Sequence, residues 1–395
     1  MTKTTQKIPD GWSIKKLEEV CFLIAGNAFN SDDFSEKGIP LIRISDIAEN
    51  GIVISESTAF LPVSFLRENE RFLIKFNDLL ISMSGATTGK MGINSFSEPM
   101  LLNQRVCIIR AKFILQTYLN QYLFTQKKDI LKQSYGGAQP NIGNGDIKKL
   151  SILLPPQAEQ EKIAEILGAW DSAIEKLTAL IAAKRLQKKG MMQKLLTARI
   201  RLPGFTGEWQ KVKLGDFLKF QTGFPFDSQF FNQDSAGIRL VKNRDLKSDD
   251  QVYFYSGKYA DTDIVENGDI LVGMDGDFLP CLWKKGTALL NQRVGKIVCK
   301  KTLNHTFAYY ILFSPLEKIQ NETASTTVKH LSHSGVEKIK TTIPIDISEQ
   351  KAIADILSKA DEEIDLLTRK LDLIQSQKKG LMQQLLTGKI RVKVV

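Results

Sequence analysis

The chain has 395 residues, 43% hydrophobic and 25% charged, as in ordinary globular proteins of two or three domains. Its 54 basic and 44 acidic side chains give a formal charge of +10, spread thinly and without a basic tail, which favours a nucleic-acid partner only modestly. The sequence contains no run of 18 apolar residues, so no membrane span is predicted. The opening MTKTTQKIPDGW lacks the apolar core of a secretion signal. The four cysteines form no C-x-x-C pair, so we expect reduced thiols in a cytoplasmic protein.

Residues 1–156 are predicted to form a first domain of mixed α and β structure. Short β-branched and apolar runs lie between clusters of Gly, Asn, Asp and Ser, at 52–54, 79–81 and 106–109. Residues 113–132 are long enough for one or two helices. A strand-like run then ends in proline at 152–156.

A long helix is predicted next, from Gln160 to Leu196, within a spacer segment of residues 157–201. Apolar residues recur at alternating steps of four and three, which is the a/d seam of a coiled coil. About 36 helical residues at 1.5 Å each give roughly 54 Å, a length that suits a spacer. The predicted seam residues of this helix are Ile163, Leu167, Trp170, Ile174, Leu177 and Ile181.

The second half of the chain repeats the first. Residues 349–391 match 159–201 at a constant offset of 190, and LLNQRV occurs at both 101–106 and 289–294. We therefore predict a second mixed domain over 202–345 and a second spacer helix within 346–395. The predicted seam residues of the second helix are Ile353, Leu357, Ile364, Leu367, Leu371 and Ile374. The globular halves keep a framework but differ in their loops, as expected of two readers on one scaffold.

The order of these segments resembles the specificity (S) subunit of type I restriction–modification enzymes. The resemblance covers essentially the whole chain and rests on the paired LNQRV motifs, on SYGGAQPNI…LSILLPPQAEQEKIAEIL and on the second copy of that run. It implies an α+β fold with an internal pseudo-two-fold repeat. In that fold, two mixed α/β target-recognition domains are separated by two long antiparallel coiled-coil helices.

The resemblance also implies the function and the partners. Such a subunit is not catalytic, and each globular half reads one half of a bipartite, asymmetric site on double-stranded DNA. It positions two adenine-N6 methyltransferase (M) subunits, and the motor-nuclease (R) subunits join them, in the cytoplasm of a bacterium or archaeon. We expect no cofactor in this subunit, whereas S-adenosylmethionine, ATP and Mg belong to the partner subunits. One departure is that Gln-Pro-Asn at 139–141 has no clear counterpart near 329–331.

Candidate DNA-binding residues are those whose side chains suit base reading in irregular segments. Arg and Lys pair with guanine, and Asn and Gln pair with adenine. Those in the first half are Arg43, Lys90, Gln104, Arg105, Gln139 and Asn141, and those in the second are Lys242, Asn243, Arg244, Gln292, Arg293, Lys329 and His330. The Asn-Gln-Arg motifs are identical in both halves, so we expect them to hold the framework or touch phosphate rather than to carry specificity.

Three other motifs are weak. Residues 84–90, SGATTGK, resemble a phosphate loop but have the wrong spacing, so a lysine touching DNA phosphate is the better interpretation. The equivalent loop at 274–277 is acidic and cannot bind phosphate in that way without a partner residue or a metal. His330 and His333 lack further ligands at matching spacing, so no metal site is expected. Asp146-x-Lys148 and Glu349-x-Lys351 lack the upstream partner of a nuclease motif.

The alternative hypothesis is a coiled-coil adaptor that binds only protein and has no DNA specificity. Salt-dependent binding to duplex DNA would separate the two hypotheses, because contacts to phosphates release counterions.

Overall fold

The structure, a computed structural model, describes residues 8–132, 134, 140–322 and 330–394. The chain forms two compact units. Unit 1 takes the chain up to Thr178 and again from Lys370, and unit 2 is Ala179–Arg369. Each unit therefore contains one globular half, the beginning of the long helix that follows it and the end of the other long helix.

The elements of the first half begin with a short strand and end with a long helix. Its strands are β1 (Ser13–Lys16), β2 (Cys21–Ala25), β3 (Ile39–Ile42), β4 (Ile47–Ala48), β5 (Asn50–Ile52), β6 (Ala59–Leu61), β7 (Leu73–Ile74), β8 (Leu79–Ser82), β9 (Met91–Ile93), β10 (Met100–Leu102), β11 (Val106–Ala111) and β12 (Ser151–Leu154). Its helices are α1 (Leu17–Val20), α2 (Phe65–Glu68), α3 (Gln116–Thr125), α4 (Lys127–Lys132), α5 (Asn144–Lys148) and α6 (Gln157–Leu195).

The second half follows the same plan. Its strands are β13 (Trp209–Lys213), β14 (Leu218–Thr222), β15 (Phe231–Asn232), β16 (Ile238–Val241), β17 (Tyr253–Tyr255), β18 (Ile264–Val265), β19 (Ile270–Gly273), β20 (Pro280–Leu282), β21 (Ala288–Leu290), β22 (Val294–Cys299) and β23 (Lys340–Pro344). Its helices are α7 (His305–Ile311), α8 (Phe313–Glu322), α9 (His333–Glu337) and α10 (Ile347–Leu385).

Each unit has two sheets and a separate strand pair. In unit 1 the orders are β2-β11-β8-β9-β5-β4, β6-β3-β10-β7 and β1-β12; in unit 2 they are β14-β22-β19-β20, β15-β17-β16-β21-β18 and β13-β23. Most pairings are antiparallel, but β10 runs parallel to β3, β9 to β5, and β21 to β16. The central strands β8 and β19 are apolar and fully buried, as expected for strands covered on both faces.

The two long helices are 39 residues each, and each begins three residues after the end of the preceding strand, with proline at 155–156 before α6 and at 344 before α10. The predicted helix begins at Gln160, three residues later than α6, because the first predicted seam residue, Ile163, is already the seventh residue of the helix. Gln160, a residue of the repeated motif, connects two segments of the chain through its side-chain amide. The amide donates to Pro155 O at 2.9 Å and accepts from Leu115 N at 2.9 Å. Gln350 does the same with Pro344 O at 2.8 Å and Asn304 N at 2.7 Å.

Within each unit the two helix pieces run antiparallel. In unit 2, Lys184 and Lys188 of α6 pair with Glu363 and Asp361 of α10, so one residue number rises as the other falls. In unit 1 the matching pair is Lys378 with Asp171. All twelve predicted seam residues are buried or half-buried. Ile163 and Leu167 also join the core of their globular half, as do Ile353 and Leu357 of theirs.

Candidate functional site

Several loop segments of unit 1 meet beyond the ends of its buried strands. Met83 N donates to Arg105 O at 2.9 Å, and Ile142 N donates to Met83 O at 2.8 Å. Asn103 N donates to Ile42 O at 3.1 Å, which draws in the segment after β3. We call this place junction 1; its segments are residues 42–46, 83–90, 103–105 and 140–142.

Unit 2 builds the same arrangement. Met274 N donates to Arg293 O at 3.0 Å, Leu331 N donates to Met274 O at 2.8 Å, and Asn291 N donates to Val241 O at 3.3 Å. We call this place junction 2; its segments are residues 241–246, 274–279, 291–293 and 330–331. Each junction collects the same kinds of segment, so most candidates from distant parts of the sequence lie together.

A backbone counterpart exists for the segment that the sequence left unmatched. Asn141 forms an antiparallel bridge with Ser84, and His330 forms the same bridge with Asp275. Asn141 and His330 are therefore equivalent positions with different side chains. The residue after each bridge partner is a glycine at positive φ, +81° for Gly85 and +79° for Gly276, which favours glycine there.

The repeated Asn-Gln-Arg turns pack against a repeated glycine. A Cβ on Gly26 would lie 2.0 Å from Asn103 O, and a Cβ on Gly223 would lie 2.3 Å from Asn291 O. Only glycine permits this approach of strand to turn. The contact gives the shared motif a framework role, while Gln104, Arg105, Gln292 and Arg293 at the tips of the turns are exposed.

In junction 1 the other candidates are more enclosed. Arg43 is half-buried, donating to Ser57 O and pairing with buried Asp46. Lys90 is half-buried at the end of its loop, and Asn141 is half-buried in the bridge. Residues 85–87 form a single 3-10 turn that leads into a strand rather than a helix, unlike a nucleotide phosphate loop.

In junction 2 the basic candidates stand on an aromatic surface. The Lys242 ammonium lies 3.3 Å from the centroid of Tyr253, and the Arg244 guanidinium lies 5.5 Å from the same ring. Burial, assisted by Arg244, lowers the pKa of Lys242. Asn243 is half-buried and donates to Asp275 O at 2.6 Å. Exposed cations interleaved with aromatic rings are typical of nucleic-acid surfaces.

Basic side chains contact the acidic loop of junction 2, residues 274–277. His330 Nδ1 lies 2.9 Å from Asp275 Oδ1, and Arg293 Nη1 lies 3.5 Å from the same oxygen. Asp277 forms an ion pair with Lys247. Partner residues thus offset the negative charge of this loop, the condition under which phosphate could approach it.

A cleft of about 1130 Å³ opens beside junction 2 within unit 2. Its walls include Asn243, Arg244 and Asp277 from the junction segments, with Tyr309 and Asp361 opposite. The basic surface is therefore next to a concave surface that could admit another molecule.

Two candidates, Gln139 and Lys329, lie outside the described residues. One residue of interest, Asp275, was not a candidate from sequence. The shared pattern Met83-Ser84-Gly85 and Met274-Asp275-Gly276 was the available signal, because it aligns a serine with an aspartate in otherwise equivalent loops.

Two buried thiols of unit 1 are protected from reaction. Burial raises the pKa of the Cys21 and Cys107 thiols to about 12, which suppresses the reactive thiolate. Among the residues placed by the structure, no three His, Cys, Asp or Glu side chains could together hold a metal ion. In the same part of the chain, no helix is long and apolar enough to cross a bilayer.

Two units with one shared plan and one repeated loop junction define a protein built from an internal two-domain repeat. The family model described as "Type I restriction modification DNA specificity domain" matches residues 9–185 and 206–376. The chain therefore belongs to the type I restriction–modification specificity subunits, the non-catalytic DNA-recognition component, with two target-recognition domains.

Relatives span the full length of the chain. It is 26% identical over 417 residues to the putative type I restriction enzyme MjaX specificity subunit of Methanocaldococcus jannaschii, covering 98% of this chain and 95% of that protein. It is 25% identical to the MjaVIII specificity subunit of the same organism, with the same coverage. The crystal structure of the S subunit from M. genitalium has the same fold, with a TM-score of 0.63, 15% identity and coverage of 98% of both chains.

Proposed function

We propose that junctions 1 and 2 each read one half of a bipartite, asymmetric site on double-stranded DNA. The observation that carries this proposal is the pairing of one backbone framework with two sets of side chains. Two readers of the same sequence would have no need for different side chains at equivalent positions.

The proposed roles of the candidates divide by whether the residue is the same in both halves. Gln104, Arg105, Gln292 and Arg293 are exposed and identical in both halves, so they contact phosphate or sugar and fix the register. Lys242, Arg244 and His330 differ from their equivalents and read bases or local shape in unit 2. Arg43, Lys90 and Asn141 read bases or local shape in unit 1. The candidate Gln139 belongs with this first set, and the candidate Lys329 belongs with the second. The recognition domains are residues 1–156 and 202–345, with spacers at 157–201 and 346–395.

The chain acts in a larger complex. It positions two adenine-N6 methyltransferase subunits and, where present, motor-nuclease subunits, which supply the sites for S-adenosylmethionine, ATP and Mg. The proposed location is the cytoplasm, where the genomic DNA is accessible. The seam residues hold the helix pieces of each unit together.

The test is co-expression of this chain with its cognate methyltransferase subunit, followed by methylation mapping of host DNA. We expect adenine methylation at one bipartite sequence. Duplex affinity should fall steeply between 50 and 200 mM salt, by roughly 10³-fold or more if about six phosphates are contacted. A stable complex without duplex binding would instead favour the protein-only adaptor.

A further inference from the structure

Asp275 occupies a position at which the two recognition halves differ in charge. Its equivalent, Ser84, has a hydroxyl that is buried and has no hydrogen-bond partner among the described residues. The Asp275 side chain is 27% exposed and carries a charge. At this position junction 1 has a buried hydroxyl, whereas junction 2 has a partly exposed carboxylate.

The surroundings of Asp275 fix its orientation. Asn243 Nδ2 donates to Asp275 O at 2.6 Å, which holds the backbone, and Asp277 N donates to the same oxygen at 3.0 Å. His330 and Arg293 both approach Oδ1, at 2.9 and 3.5 Å. Among the described residues, donors approach Oδ1 and none approaches Oδ2, and the side chain is 27% exposed.

The neighbouring cations make a carboxylate tolerable beside DNA. An isolated carboxylate would repel phosphates, but the Arg293 guanidinium is adjacent and is 55% exposed, which leaves part of it for phosphate. An ionised carboxylate only accepts hydrogen bonds. The base edges that donate in the major groove are the amino groups, cytosine N4 and adenine N6.

We infer that Asp275 is a specificity-determining residue of junction 2, accepting a hydrogen bond from the exocyclic amino group of a cytosine or adenine. This inference rests on the proposed function, since it assumes that the junction faces DNA. Its equivalent in junction 1 makes no such contact, so the requirement belongs to one half-site only.

The experiment uses the complex of the full chain with its methyltransferase subunits. Once the target is mapped, every base pair of both half-sites is varied in turn in synthetic duplexes, and the rate of methylation is measured. Asp275→Asn keeps the size of the side chain and removes its charge, and Asp275→Ser introduces the chemistry of Ser84. The matched control is Asp249→Asn, which makes the same charge change in unit 2 but outside the junction segments, on a carboxylate paired with Lys285.

Both Asp275 variants should lose discrimination at one and the same base pair of one half-site, by roughly 5- to 100-fold. Preferences in the other half-site should be unchanged, and Asp249→Asn should keep the wild-type preferences at every position. A uniform loss of rate with unchanged preferences would show that Asp275 only supports the loop, and would overturn the inference. Failure of the proposed function would look different, because the wild-type complex itself would then show no base preference.

Discussion

Glu159 and Glu349 occupy equivalent positions in the two copies of the repeat, and each binds side chains that are distant in sequence. Glu349 is 2% exposed and accepts hydrogen bonds from Arg201 at 2.7 and 2.9 Å and from Trp209 at 3.1 Å. Glu159 accepts hydrogen bonds from Arg391 and Trp12 in the same way. A buried carboxylate is stable only when donors surround it, which explains why Trp, Glu and Arg recur together in both copies.

Removing one of these carboxylates should weaken its unit. For Glu349→Ala we expect the free energy of unfolding to fall by about 1.5–3 kcal/mol, because Arg201 and Trp209 lose a charged partner. Urea titration monitored by circular dichroism measures the change. The control is Glu363→Ala, in the same helix as Glu349. This change breaks a more exposed pair with Lys184 of α6 and should cost less than about 1 kcal/mol. Equal effects of the two variants would contradict the account.

At the scale of elements, the sequence predicted periodic structure well. The seam pattern located both long helices, and the apolar runs at 79–81 and 106–109 located β8 and β11. Residues 113–132 form two helices, α3 and α4, as their length allowed. These signals are local, since side chains within one element determine them.

The junctions were less predictable because their contacts are distant in sequence. Nothing local indicates that residue 84 pairs with residue 141, or that Asp275 pairs with His330. Many candidates lie in loops, but exposure separates Gln104 from half-buried Arg43, and sequence alone does not provide that distinction. The repeat could have supplied part of it, through the aligned Met-x-Gly patterns.

The turn that packs against Gly26 and Gly223 permits a test at this scale. Gly223→Ala places a methyl group against the backbone of Asn291, so we expect a loss of about 2–3 kcal/mol in the free energy of unfolding. Gly190→Ala is the matched control, since its Cβ would meet open space within α6. That variant should gain about 1 kcal/mol from helix propensity. Thermal or urea unfolding of the three proteins decides, and a stable Gly223→Ala protein would remove the framework role.

At the scale of the whole molecule, the chain passes between the two units twice. The crossings lie at Thr178–Ala179 in α6 and at Arg369–Lys370 in α10. The first helix ends at Leu195, so an insertion after Leu196 would lengthen a loop inside unit 2 rather than the helix. A change in spacer length must therefore be made at the crossings, and in both helices together.

We expect four residues inserted after Thr178 and four after Arg369 to lengthen the unspecified spacer of the DNA target. Each helix grows by about 6 Å and turns about 40° beyond a full circle. One added base pair advances a half-site by about 3.4 Å and roughly 34°. Methylation of duplexes that differ only in spacer length should then shift by one or two base pairs, with both half-site sequences kept. An active variant with the original spacer preference would refute a ruler role for the helices.

The composition of unit 1 has a consequence for synthesis. Leu385 and Leu386 lie in its core, and Arg391 binds its buried carboxylate Glu159, yet these residues leave the ribosome after all of unit 2. Unit 2 has all of its residues by Arg369, so it can fold while unit 1, begun first, still has apolar surface uncovered. A stop codon shortly before position 385 would therefore damage the unit that contains residues 8–132.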